Sequence, residues 1–146
     1  MKIEIDIDNK YTDVGVIVTA PELTPDIERI VSLMRMMDMQ IAVKRDDETI
    51  LLDTTMILYI EAVERATFVY TENDVFESEF KLYEFEQQLP EKDFIRVSKQ
   101  SILNLRKVKR LKADVNRKIR VTLLNGEQII VSRMYADELR KRLGIK

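Results

Sequence analysis

The residues best equipped for chemistry in this chain are cations, and they crowd into one part of it. Positions 93–146 hold 15 Lys and Arg against 5 Asp and Glu, a local balance of +10, while positions 1–38 carry −4 and positions 39–92 carry −8. Opposed regions of this kind suit a polyanion, because the basic part neutralises phosphates and the acidic part suppresses indiscriminate adhesion. A surface whose charges merely segregate gives the same pattern. Other chemistries are poorly served. With no His there is neither the usual general base nor the commonest transition-metal ligand, and with no Cys there is no thiolate nucleophile, thiolate zinc site or disulfide. Only three glycines are present, and no GxGxxG or GxxxxGK[ST] string that could cradle a phosphate. Asp46-Asp47-Glu48 and the pair Glu84 and Glu86 lack metal-ligand spacing and read as solvated surface. No catalytic residue, metal ligand or cofactor is expected.

The elements that must position the cations are mostly short strands. At 146 residues and 17.2 kDa the chain suits one domain with an accessory element. Ile3, Ile5 and Ile7 alternate with acids, which predicts a first strand, and Val14 to Thr19 predicts a second. A helix follows, with Thr24 as N-cap, Pro25 in the first turn, and Ile27, Ile30, Val31, Met34 and Met37 on one face. This β-β-α extension spans residues 1–38, and residues 39–146 form the main domain. There the patterning predicts strands at 41–45, 49–52, 56–62, 66–70, 75–79, 94–97, 108–111, 119–124 and 128–131. A short helix runs from Lys81 to Leu89, and Asn125-Gly126 marks a hairpin. A last helix opens at Ser132 and stops at Gly144. The fold class is mostly β with short helices. No stretch approaches the roughly 20 apolar residues of a membrane span, and MKIEIDID is unlike a secretory leader, so a cytoplasmic location is expected.

The string FIRVSKQSILNLRKVKRL from Phe94, followed by LLNGEQIIVSRMYADELRKRL, resembles the LytTR DNA-binding domain. YIEAVERATFVYT and FKLYEFEQQLP upstream keep that family's motif order, so the resemblance covers residues 41–143. It implies an elongated LytTR-type β sandwich that reads double-stranded DNA through loops in successive major grooves, within a bacterial transcription regulator and without catalysis. The front piece resembles the extension of stand-alone members, and its length leaves no room for a receiver domain.

By that resemblance Lys99 and Arg133 are base contacts, and Arg65 is a third in a turn where other members place His or another polar residue. A Lys ammonium can donate to guanine O6 and N7, and an Arg beside free helix N–H groups can meet DNA with them. Ser98, Ser101, Thr67, Lys107, Lys109, Arg117 and Lys118 are candidates for backbone contact, although strand alternation lets only some cations share a face. Asn104 reads as a structural turn cap. Family behaviour further implies two protomers on direct repeats, acting as a homodimer there, and control by a membrane-bound inhibitor protein. The acidic, Met-rich extension, with Met34, Met36, Met37 and Met39, is the candidate regulatory or dimerisation element. Two other readings compete: an RNA-binding β domain, disfavoured because Phe94 and Tyr135 are the only aromatics in the basic part, and an adaptor that binds another protein through its acidic half.

Overall fold

The computed structural model describes residues 1–37 and 39–145; the side chains of residues 35–37 also lie outside the description. The chain divides into two units, Met1–Met37 and Asp38–Lys146.

In the first unit a helix, α1 (Pro25–Met37), starts where the sequence predicts. The Thr24 hydroxyl accepts from the Ile27 N–H at 3.4 Å, and Asp26 and Glu28 sit at the positive end of the dipole. The two strands expected before it are absent. Residues 1–20 carry no strand pairing, although a turn forms where Asp8 accepts from the Lys10 N–H at 2.9 Å and the Tyr11 hydroxyl donates to Asp6 at 2.6 Å. Ile3, Ile5 and Ile7 are each more than three-quarters exposed. Alternation alone does not make a strand: a lone two-stranded ribbon is marginal unless its apolar side is buried against something. In the Met-rich group, Met34 is partly exposed, and the side chains of Met36 and Met37 fall outside the described residues.

Among the described residues, the second unit has ten strands in two antiparallel sheets, with two α-helices. Its strands are β1 (Gln40–Arg45), β2 (Glu48–Asp53), β3 (Tyr59–Val63), β4 (Ala66–Tyr70), β5 (Val75–Ser78), β6 (Phe94–Arg96), β7 (Ser101–Asn104), β8 (Val108–Ala113), β9 (Ile119–Leu123) and β10 (Gln128–Val131). The helices are α2 (Leu82–Gln88) and α3 (Arg133–Leu143). The larger sheet runs β2-β1-β5-β4-β3-β7-β6 and the smaller β10-β9-β8. One core lies between the larger sheet and α2, where Ile60, Val69, Phe76 and Ile102 meet Leu82, Phe85 and Leu89. The other joins the two sheets: Leu58, Ile95, Val97 and Leu103 pack with Ile119, Val121, Leu123 and Val131, closed by Ala136 and Leu139 of α3.

Alternate residues of β3 and β7 therefore serve opposite cores, and β7 is buried at all four positions. A strand covered on both faces has no polar beat, which is why the sequence presents 98–101 as a turn and β7 goes unpredicted. Asn104 fixes the step from one sheet to the next. It is buried, its amide donates to the Ile57 carbonyl at 2.8 Å, and its oxygen accepts from the Arg106 N–H at 3.0 Å. Among the described residues no helix is long and apolar enough to cross a membrane.

Candidate nucleic-acid interface

Three loops supply the cations, and the hydrogen bonding holds each in place. Between β6 and β7 the chain makes a tight turn whose base is closed by the Val97 N–H donating to the Ser101 carbonyl at 3.0 Å. The Ser98 hydroxyl accepts from the Gln100 N–H at 3.1 Å. Arg96 secures the turn further: its guanidinium donates to the Ser98 carbonyl at 2.8 Å and the Lys99 carbonyl at 2.6 Å, and it forms an ion pair with Glu86 of α2. Lys99 thus projects into solvent from a clamped backbone.

The start of α3 is tied to the same turn, since the Ser132 N–H donates to the Val97 carbonyl at 2.9 Å. Ser132 is the N-cap by backbone geometry, but its hydroxyl caps nothing within the helix and stays available. The third loop joins β8 to β9. Asp114 accepts from the Val115 N–H at 2.7 Å and pairs with Arg120 at 3.1 Å. These contacts, the backbone N–H first, hold its carboxyl below the usual carboxylate range. Asn116 and Arg117 then take left-handed conformations, φ 58° and 65°, which turn the chain sharply ahead of Lys118.

Ser98, Lys99, Gln100, Asn116, Lys118, Ser132, Arg133 and Met134 together line one open depression of about 430 Å³. Three of them are cations and none is a carboxylate. Among the described residues, Lys99, Lys118 and Arg133 form no ion pair, whereas Arg96, Arg106 and Arg120 do. The depression thus gathers three cations that no carboxylate offsets by direct contact.

Arg65 lies in the β3–β4 turn, exposed and without an acidic partner among the described residues. The Ala62 N–H donates to the Gln100 carbonyl at 2.7 Å, so that turn and Lys99 occupy the same end of the larger sheet. The Lys81 ammonium donates to the Arg65 carbonyl at 3.4 Å and brings a second cation to the turn.

The remaining candidates separate. Ser98 and Lys118 belong to the depression. Arg117 is exposed on its rim loop but does not line it. Lys107 and Lys109 stand at the opposite end of β8, roughly 17–20 Å away along a six-residue strand, so they face a different stretch of any long ligand. Two assignments are corrected. Thr67 and Ser101 are buried, at 2% and 8% exposure, because each sits in an interior strand with neighbours on both sides; they pack and cannot reach a phosphate. Arg96, Lys81, Gln100, Asn116 and Met134 were missed. A VSKQS turn preceded by Arg could have pointed to the clamp; Lys81 is invisible to sequence reasoning because its contact spans 16 positions.

The family described as the LytTr DNA-binding domain matches residues 47–144. Among solved structures, the LytTr DNA-binding domain of a Bacillus cereus protein named as a methyl-accepting/DNA response regulator superposes with a TM-score of 0.70 at 31% identity, covering 73% of this chain and 98% of that one. Two proteins named as uncharacterised HTH-type transcriptional regulators, from Staphylococcus aureus strains MSSA476 and COL, are each 26% identical over 99% of both chains. The helix-turn-helix in their name has no counterpart among the described residues, where strands separate α1, α2 and α3 from one another. By the extent of the match and the architecture of both sheets, the chain belongs to the LytTR family of DNA-binding domains.

Proposed function

We propose that this protein is a sequence-specific transcriptional regulator that binds double-stranded DNA, with Lys99 and Arg133 at base edges, Arg65 at a neighbouring base or phosphate, and Ser98, Lys118 and Arg117 on the backbone. The observation that carries this reading is the depression lined by Lys99, Lys118 and Arg133 and by no acid. Cations held on rigid loops suit major-groove edges, where a good bidentate pair discriminates by about 1–3 kcal/mol. Lys107 and Lys109 would neutralise phosphates further along the duplex. The protein acts by binding rather than catalysis, in the cytoplasm.

Two protomers bind side by side on direct repeats near one helical turn apart, a spacing that follows from equivalent loops entering successive grooves on one side of the duplex. Residues 1–38 serve as a regulatory or dimerisation element and are the docking site of a membrane-bound inhibitor protein; their exposed Ile3, Ile5 and Ile7 support a role that a partner completes. The test is titration of the purified protein against its own promoter at several salt concentrations. Affinity falls steeply with salt, by a slope of about −0.9 per phosphate neutralised. The Lys99→Ala/Arg133→Ala variant loses discrimination between promoter and unrelated DNA while keeping the wild-type thermal transition. Salt-independent binding, or discrimination intact in the double variant, refutes the proposal.

A further inference from the structure

Met134 departs from the pattern of its helix. In α3 the apolar residues turn inward: Ala136 and Leu139 are buried, and Tyr135 and Leu143 pack partly into the core between the sheets. Met134 is 73% exposed, the most exposed large apolar side chain among the described residues of 39–145. A single apolar residue on a surface is ordinary. Its position is what sets this one apart, for it lines the same depression as Lys99, Lys118 and Arg133. Whatever polyanion these cations draw in is brought against a thioether, at a site whose other polar liners, Ser98, Gln100, Asn116 and Ser132, offer only hydrogen bonds.

The major-groove edges of the four base pairs differ in donors and acceptors, and one carries an apolar group, the C5-methyl of thymine. An ammonium or guanidinium discriminates guanine but has no means of recognising that methyl. An unbranched, polarizable side chain with several rotatable bonds can close over it and exclude water from both. We propose that Met134 is a specificity-determining residue that packs on a thymine C5-methyl beside the bases met by Lys99 and Arg133. The proposal rests on the duplex-DNA reading above and assigns this side chain the one apolar feature among the major-groove base edges.

The experiment separates the two. Duplexes are selected by the full chain from a random-sequence pool, and in the most enriched duplex each thymine is replaced in turn by deoxyuridine, which deletes the methyl and keeps every hydrogen-bonding group. For the wild-type protein, replacement at one or two positions lowers affinity roughly fourfold, the equivalent of about 0.8 kcal/mol for one buried carbon. Met134→Ala binds the thymine and uracil duplexes equally, near the affinity of the wild type for the uracil form, with an unchanged salt slope and thermal transition. Met134→Leu keeps the discrimination. Enrichment of a duplex whose every thymine tolerates the replacement, or a preference that survives in Met134→Ala, overturns the assignment and leaves the DNA reading standing. No enrichment from the pool overturns both.

Discussion

Arg96 shows how one side chain can hold the backbone that carries others. Its guanidinium donates to two successive carbonyls, of Ser98 and Lys99, and pairs with Glu86, a division of labour that requires a planar fork with several donors. Arg96→Ala should cost about 1.5–3 kcal/mol of folding stability, the range for hydrogen bonds made by a charged group. It should also weaken DNA binding although no cation in the depression is removed. Arg96→Lys restores the charge without the fork and should rescue neither; chemical denaturation with a parallel DNA titration checks both. Residue-scale features were unevenly legible. Lys99 and Arg133 stood out because family motifs surround them, and Asn104 because an Asn before a turn is a familiar cap. Thr67 and Ser101 were misread because a hydroxyl carries no mark of its burial in an interior strand. Met134 gave no signal, since in sequence it looks like one more apolar position of an amphipathic helix.

Elements were read well where one face meets water and poorly elsewhere. β4 and β10 have the expected limits because neither is covered along its whole length: β4 alternates half-buried and buried residues, and β10 keeps Gln128 and Ile130 exposed. β7 has none, and residues 1–20 show the reverse error, alternation without pairing. The sequence leaves 112–118 without a form between two strands, because the shape of the β8–β9 loop depends on Asp114 accepting from its neighbour's N–H and pairing with Arg120. Those contacts lower the folded pKa of Asp114. The stabilisation they give is thus present above the unfolded carboxyl value, near 3.9, and is lost as pH falls through the folded value. Protection of the amides of residues 115–118 against exchange, taken relative to their intrinsic rate at each pH, should fall as the solution is acidified across that window, more than protection in β9. In Asp114→Asn the loop should exchange faster at neutral pH and lose the acid dependence. Unchanged protection on acidification would show that the loop holds its form by other means.

At the scale of the whole chain, the charge separation seen in the composition reappears as architecture: three cations and no acid line one depression, and Arg96, Arg106 and Arg120 near by are held in ion pairs. Both core clusters draw on residues from Ile41 onward. A chain beginning at residue 39 should therefore keep the thermal transition of the full protein to within a few degrees, as measured by circular dichroism. It should also keep its salt-dependent affinity for DNA, while losing any response to the inhibitor protein proposed above. Loss of the transition would mean that the first unit contributes to the fold of the second.

The bond from the Ser132 amide to the Val97 carbonyl links the cap of α3 to the tight turn after β6. It joins two pieces of chain remote in sequence through backbone atoms alone, so the gauge between Lys99 and Arg133 is set before any nucleic acid arrives and is indifferent to which side chains occupy those places. Docking then forfeits little chain entropy in assembling the surface. On the base-reading roles proposed for 99, 133 and 134, a descendant of this protein is re-addressed to a new promoter by exchanging those tips on an unaltered chassis, the way a type-holder accepts different letters.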